Sequence, residues 1–196
     1  MGIRQDSVSQ GLTVIAVAEL MFLSTYGADL MLRSLFAAVL AIGGLVLMRF
    51  TGVESVDVTI DESERRGMIV WVVVSLGVIV MLSLFTPRLP LDTSQMTTIQ
   101  LAMVPRMFGA LIAVSEEVFF RGFATNFFVS RIGFNGGILL SGGFFALYHA
   151  AVYGSDAGLM IYVLGAGVVL SYVALRTGRV STTMLAHLIV NVSAGV

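Results

Sequence analysis

The sequence has no cysteine and no lysine, and it carries few charged residues of either sign. Without cysteine, a thiol nucleophile, a cysteine metal site and a secreted fold held by disulfides are all excluded. Without lysine, a Ser–Lys dyad and Schiff-base chemistry are excluded as well. Charged residues make up 12% of the chain, half the share of about 25% that soluble domains carry. The chain therefore has too little charge to cover the surface of a soluble domain.

Long apolar segments are what the sequence does contain. Hydrophobic residues occupy 57% of the 196 positions, and a helix needs about 20 mostly apolar residues to cross a bilayer. Barrel strands are much shorter, so these runs predict helices. We predict an all-α, polytopic membrane helix bundle of about seven transmembrane helices. The predicted spans cover residues 11–26, 30–48, 67–85, 97–130, 135–153, 157–175 and 181–196.

The spans divide into two parts, and the arginines predict their orientation. We expect three N-terminal membrane helices over residues 1–96 and a membrane core of four helices over residues 97–196. A cytoplasmic N-terminus places most arginines in cytoplasmic loops, as the positive-inside rule requires. These arginines are Arg4, Arg49, Arg65, Arg66, Arg131, Arg176 and Arg179. We therefore predict a multi-pass protein of the cell membrane, with the lipid bilayer as a partner and no nucleic acid.

Three charged residues lie close together inside the fourth predicted span. Glu116, Glu117 and Arg121 fall within AVSEEVFFRGF, a segment that is otherwise apolar. An Asp or Arg at the centre of a span costs on the order of 2.5 to 3.5 kcal/mol, so charges there need an explanation. Glu117 and Arg121 are four residues apart and can pair on one helix face. Glu116 points about 100° away, which makes it a candidate general base or proton carrier.

Both histidines of the chain lie in apolar predicted spans. Phe145 precedes His149 by four residues, and Asn191 follows His187 by four residues, so each pair shares a helix face. A rise of about 1.5 Å per residue places Glu116 and both histidines inside the bilayer. We therefore expect these groups to meet in one intramembrane site.

This set of side chains is compatible with more than one chemistry. A glutamate with a histidine can activate water for peptide hydrolysis, while histidine and asparagine can donate to an oxyanion. Glu116, His149 and His187 could instead bind zinc and leave one position open, although the H-E-x-x-H motif is absent. Intramembrane Glu and His also form the proton relays of transporters, but the chain shows no internal repeat of the transporter kind.

The motifs resemble those of one protease family. Three of them follow in order on separate apolar segments: E-E-x-x-x-R (Glu116, Glu117, Arg121), F-x-x-x-H (Phe145, His149) and H-x-x-x-N (His187, Asn191). This order resembles the CPBP family. That family unites the type II CAAX prenyl proteases with bacteriocin-processing and immunity proteases, which are also called the Abi family. The resemblance covers residues 97–196.

The resemblance implies an intramembrane endopeptidase that uses a glutamate and needs no cofactor. It implies that Glu116 together with His149 activates the attacking water. His187 and Asn191 would orient this water or hold the oxyanion. The substrate would be a peptide or the C-terminus of a lipidated protein, cleaved near the membrane.

Three further residues are given supporting roles by the same resemblance. Glu117 and Arg121 would pair to fix the catalytic helix, and Phe145 would pack beside the site. Two alternatives stay open. One is a zinc-dependent intramembrane metalloprotease that uses the same residues, and the other is a non-catalytic immunity or scaffold protein of the membrane.

Overall fold

The computed structural model describes residues 30–53, 65–83, 104–153 and 156–194, together with Gly11. Within these ranges every regular element is helical, which confirms the prediction of an all-α fold for them. The elements are α1 (Leu30–Thr51), α2 (Arg65–Ser83), α3 (Val104–Glu117), a π-helical segment (Val118–Ala124), α4 (Thr125–Tyr153), α5 (Ala157–Thr177) and α6 (Val180–Ala194).

The fourth predicted span is not one regular helix. The α-helical part α3 ends at Glu117, and the following seven residues form the π segment before α4 begins. Within α4 the chain kinks at Gly133, where φ is 79° and ψ is 174°. This conformation is readily open only to glycine. The kink lies between the predicted end of the fourth span, at residue 130, and the predicted start of the fifth, at residue 135.

Some predictions fall outside the described residues. They are the first predicted span apart from Gly11, the turn over residues 86–96, and the start of the fourth span over residues 97–103. Within the described residues, two helices are long and apolar enough to cross a membrane, Arg33–Thr51 and Ala157–Thr177. Two shorter apolar helices are Arg66–Leu82 and Val180–Asn191. The total of seven spans therefore stays a prediction.

The larger hydrophobic core surrounds the π segment and is rich in aromatic rings. Side chains of α1 contact it from one side, and side chains of α4 contact it from the other. Its buried members include Leu47, Met48, Phe119, Phe120, Phe123, Phe127, Phe128, Phe145 and Tyr148. A smaller cluster of Ile79, Ala166, Leu170 and Ala186 joins α2, α5 and α6. The π segment is thus enclosed by packed helices rather than lying at an edge of the described structure.

Helices α4 and α5 approach each other closely at two glycines. A Cβ atom on Gly142 would lie 2.5 Å from Cγ2 of Val168, and one on Gly167 would lie 3.0 Å from Cα of Gly142. Small residues permit this close approach between helix backbones, as in many membrane proteins. The contact brings the carbonyl oxygen of Gly167 within reach of the π segment.

Candidate active site

A buried ion pair connects α3 to the π segment. Nη1 of Arg121 lies 3.0 Å from Oε1 of Glu117, and neither side chain is exposed. The guanidinium also lies over the ring of Phe145, with Cζ 4.2 Å from the ring centroid. A buried charge that loses its partner is strongly destabilising. The i,i+4 pair expected from the sequence is therefore present, and each charge holds the other in place.

His187 reaches the same carboxylate from α6. Its Nδ1 lies 2.9 Å from Oε1 of Glu117, the oxygen that also contacts Arg121. An ionised carboxylate can only accept hydrogen bonds, so Nδ1 of His187 is the donor. The sequence analysis paired Glu117 with Arg121 alone, because a contact between residues 70 positions apart leaves no local signal. The contact ties α6 to α3.

His149 is held by its own helix and by aromatic rings. Its Nδ1 lies 2.9 Å from the carbonyl oxygen of Phe145, and a carbonyl oxygen only accepts, so Nδ1 donates. The imidazole packs against the Phe145 ring, with the centroids 4.3 Å apart, and stacks on Tyr153 at 5.8 Å. Tyr148 contacts it edge-on at 5.3 Å. The ring orientation is therefore fixed on several sides.

The two imidazoles meet at Glu116. Oε2 of Glu116 lies 3.7 Å from Nε2 of His149 and 3.8 Å from Nε2 of His187. The residue is only 3% exposed, and Oε2 has no hydrogen-bond partner within the described part of the chain. These distances are too long for direct hydrogen bonds. Three potential acceptor atoms, Oε2 of Glu116 and the Nε2 atoms of the two histidines, therefore lie near each other without direct hydrogen bonds to the carboxylate.

Phe145 lies at the centre of this arrangement. Its ring contacts the guanidinium of Arg121 and lies 5.9 Å from the ring of His187. Its carbonyl oxygen accepts the hydrogen bond from His149. The side chain is 3% exposed. Phe145 therefore packs beside the candidate site, between the ion pair and both imidazoles.

Asn191 lies one helical turn beyond His187 on α6 and is attached to α3. Its Nδ2 donates to the carbonyl oxygen of Gly109 at 3.3 Å. This bond uses one of the two amide protons.

The structure thus brings Glu116, His149 and His187 into direct proximity. Asn191 joins them through α3, rather than through a contact with Glu116.

Comparison with known families assigns the part of the chain that holds this site. Residues 97–193 match the family model described as type II CAAX prenyl endopeptidase Rce1-like. The C-terminal half of the chain belongs to this family. No curated protein and no solved structure matches the chain at a significant level. The match confirms the resemblance to type II CAAX prenyl proteases, a family of membrane-associated endopeptidases.

The Rce1-like half also contains polar residues that the sequence analysis missed. A π-helix leaves backbone carbonyls that the regular helix ladder would use, and Thr125 and Asn126 bond to them. The Thr125 hydroxyl lies 2.9 Å from the oxygen of Phe120. Nδ2 of Asn126 donates to the oxygens of Arg121 and Gly122, both at 3.0 Å. Their only sequence signal is that Thr125 and Asn126 are two uncharged polar residues in an otherwise apolar run.

The residues predicted for the zinc alternative are Glu116, His149 and His187. Ligand atoms about 2.1 Å from one tetrahedral zinc lie about 3.4 Å apart, whereas atoms bridged by one water lie about 4.5 Å apart. The two separations of 3.7 and 3.8 Å fall between these values, so either occupant requires a small movement. Among the described residues, no group of three His, Asp or Glu side chains is spaced as a metal site.

Proposed function

We propose that the chain is an intramembrane endopeptidase in which Glu116 activates the attacking water. The family match supports cleavage of the CAAX type. The substrate we propose is a peptide or the C-terminus of a lipidated protein, cleaved beside the membrane. Bacteriocin or peptide processing is the related activity that the motifs also predict.

We also propose that the chain crosses the cell membrane several times, with its N-terminus in the cytoplasm. Large apolar side chains on the outer faces of the helices support this. Phe50 is 73% exposed, Ile161 66% and Leu139 62%, while Glu117 and Arg121 are completely buried. Apolar surface of this extent is unfavourable in water and favourable in lipid. We place residues 1–96 in the N-terminal spans and residues 97–196 in the catalytic core.

The observation that carries the proposal is the unpartnered carboxylate oxygen between two imidazoles. Oε2 of Glu116 is buried and faces the Nε2 atoms of His149 and His187. Oε2 of Glu117 also has no hydrogen-bond partner among the described residues, but Oε1 of Glu117 contacts both Arg121 and His187, whereas Oε2 of Glu116 meets two imidazole nitrogens beyond hydrogen-bond distance. A general base needs such an acceptor, aimed at the place where a water proton will be.

The hydrogen bonds of the histidines determine which atoms can take part in the reaction. Both Nδ1 atoms donate, one to a carbonyl oxygen and one to a carboxylate. In a neutral imidazole, Nε2 then carries a lone pair and no proton. A water between Oε2 of Glu116 and Nε2 of His149 can therefore donate to both, which directs an oxygen lone pair toward a substrate carbonyl.

The reaction then follows from these positions. Glu116 takes a proton from the water as the water oxygen bonds to the scissile carbonyl carbon. The oxyanion that forms is held by the second amide proton of Asn191 and by His187 when its Nε2 is protonated, with Glu117 as the counter-charge 2.9 Å from Nδ1. Glu116 returns its proton to the leaving nitrogen, and the carbon–nitrogen bond breaks. One peptide and one water yield one carboxylic acid and one amine, and the acid then loses its proton to the amine or to solvent.

The experiment uses the purified full chain in lipid nanodiscs with a fluorogenic, prenylated peptide that ends in a CAAX sequence. Glu116→Gln keeps the size of the side chain and removes the base. We expect it to lower kcat on the order of 10²- to 10⁴-fold, the usual contribution of a general base. Glu54→Gln makes the same chemical change outside the family-matched region and serves as the control.

Each outcome has a clear meaning. Loss of cleavage in Glu116→Gln, with cleavage retained in Glu54→Gln, supports the proposal. Activity of Glu116→Gln within a few-fold of the parent would refute Glu116 as the base. Absence of cleavage by the parent chain, with prenylated and unprenylated peptides alike, would favour the non-catalytic immunity or scaffold alternative.

A further inference from the structure

Three buried hydroxyl groups connect α5 to the π segment. Oγ of Ser171 lies 3.2 Å from Oγ of Ser141 and 3.1 Å from Oγ1 of Thr125, and Oγ of Ser141 lies 2.7 Å from Oγ1 of Thr125. Oγ1 of Thr125 lies 2.9 Å from the carbonyl oxygen of Phe120, inside the π segment. All three hydroxyl residues are at most 1% exposed. We call Ser171, Ser141 and Thr125 the hydroxyl chain.

The direction of the hydroxyl chain follows from its last acceptor. Each hydroxyl has one proton to donate, and the oxygen of Phe120 can only accept. Assigning the Thr125 proton to Phe120 leaves Thr125 to accept from the serines, so Ser141 donates to Thr125, and Ser171 donates to Ser141 or to Thr125. The oxygen of Phe120 also accepts the backbone N–H of Thr125, so both of its lone pairs are used.

A second contact attaches the same segment to the same face of α5. Nη2 of Arg121 donates to the oxygen of Gly167 at 3.4 Å. Gly167 precedes Ser171 by four residues, which is about one helical turn. The π segment is therefore held to α5 at two neighbouring points, at the Arg121 side chain and at the Phe120 carbonyl.

We propose that the hydroxyl chain is a positioning device for the active site. It holds the backbone of the π segment against α5, which keeps the guanidinium of Arg121 in contact with Gly167, with Glu117 and, through Glu117, with His187. Without the hydroxyl of Thr125, the oxygen of Phe120 loses one of its two donors and keeps the backbone N–H of Thr125. The segment would then shift against α5 and move the guanidinium of Arg121 relative to Glu117. This proposal rests on the proposed function, because it concerns how that site is aligned.

The test compares variants along the hydroxyl chain. Thr125→Val keeps the shape of the side chain and removes the hydroxyl, whereas Thr125→Ser keeps the hydroxyl. Ser75→Ala is the matched control, since Ser75 is fully buried and donates within its own helix α2, to the oxygen of Trp71. In nanodiscs we expect Thr125→Val to lower kcat on the order of 10- to 100-fold, the cost of a misplacement of about 1 Å, with little change in KM. Thr125→Ser should restore most of kcat.

The hydroxyl chain also predicts an order of effects. Thr125→Val removes the hydroxyl that contacts Phe120, whereas Ser141→Ala and Ser171→Ala each remove one hydroxyl that contacts Thr125, at 2.7 and 3.1 Å, so kcat should fall most in Thr125→Val and less in either serine variant. A larger effect of Ser171→Ala than of Thr125→Val would overturn the assigned direction. Effects of all three that equal the effect of Ser75→Ala would overturn the proposal. If Thr125→Val does not fold, the two serine variants decide the question.

A second measurement does not depend on catalysis. The chain has two histidines, so ¹⁵N-histidine labelling reports on two imidazoles, and Glu117→Gln identifies the Nδ1–H signal of His187. We expect Thr125→Val to shift this signal and Ser75→Ala to leave it in place. An unchanged signal would overturn the proposal even if Glu116→Gln is inactive. An active Glu116→Gln variant with a shifted signal would instead refute the proposed function alone.

Discussion

Replacing Glu117 with alanine tests how strongly the buried charges depend on each other. Oε1 of Glu117 contacts Arg121 at 3.0 Å and His187 at 2.9 Å. In Glu117→Ala, the guanidinium of Arg121 keeps its hydrogen bond to the oxygen of Gly167 and its contact with the Phe145 ring, which are both present before the substitution. No new partner compensates for the lost carboxylate. The variant therefore leaves one buried charge unpaired and removes the acceptor of one imidazole donor.

The size of the effect follows from these two losses. Removing one member of a buried ion pair costs about 3–5 kcal/mol in soluble proteins, and an orphaned buried donor costs about 1–3 kcal/mol. In a chain of this length, 1 kcal/mol shifts Tm by about 2–4 °C. The ion-pair loss alone should therefore lower the Tm of Glu117→Ala by about 6–20 °C.

The neighbouring glutamate supplies the control. Glu116→Ala removes a buried carboxylate whose Oε2 has no hydrogen-bond partner within the described residues, so its Tm should change little or rise. Glu117→Ala combined with Arg121→Met removes both charges of the pair and should recover part of the lost Tm. Thermal unfolding of the purified protein in detergent measures all three. Equal Tm values for the three variants would refute the reasoning that Glu117 and Arg121 depend on each other.

Two further predictions concern the metal and the membrane. EDTA or phenanthroline should leave cleavage largely intact, while Asn191→Ala should lower turnover on the order of 10²- to 10³-fold, as loss of one oxyanion donor does elsewhere. Stoichiometric zinc, with activity lost on chelation and regained with metal, would decide for the metalloprotease. Because the chain has no cysteine, single-cysteine variants report topology. Seven spans and a cytoplasmic N-terminus would place the end of α6 on the outer side of the membrane. Ala194→Cys should therefore react with an impermeant maleimide on intact cells, and Ser7→Cys should react only after permeabilisation. The reverse pattern would refute a cytoplasmic N-terminus.

The sequence was informative where charge stands out against an apolar background. Glu117 and Arg121 are four residues apart, and helical periodicity alone predicts their contact. The approach of His149 and His187 to Glu116 was also expected, because intramembrane ionisable groups collect in the bundle interior. The break near Gly133 was visible as a change between two apolar runs. The first and third of these follow from local patterns, and the second follows from the cost of placing charge in the bilayer.

Other features could not be predicted because they depend on how helices pack. The π segment has no local signature beyond polar residues at positions 125 and 126, and its stability comes from partners on α4 and α5. The bond from Asn191 to Gly109 joins residues 82 positions apart. Whether an asparagine amide donates to an oxyanion or to a backbone oxygen depends on tertiary geometry. Motif spacing places such a residue near the site, but it does not determine what the amide contacts.

The different anchors of the two histidines explain why two are needed. His149 donates through Nδ1 to a neutral carbonyl oxygen, whereas His187 donates through Nδ1 to a carboxylate. A nearby negative charge stabilises an imidazolium more than a carbonyl dipole does. We therefore assign His187, with Glu117 as its counter-charge, to the oxyanion, and His149 to the water as a lone-pair acceptor. If the anchors set these roles, Glu117→Gln should impair turnover even where the protein stays folded, because it removes the counter-charge of His187 and keeps the shape of the side chain. A folded Glu117→Gln variant with parental kcat would show that the two imidazoles are equivalent in the reaction.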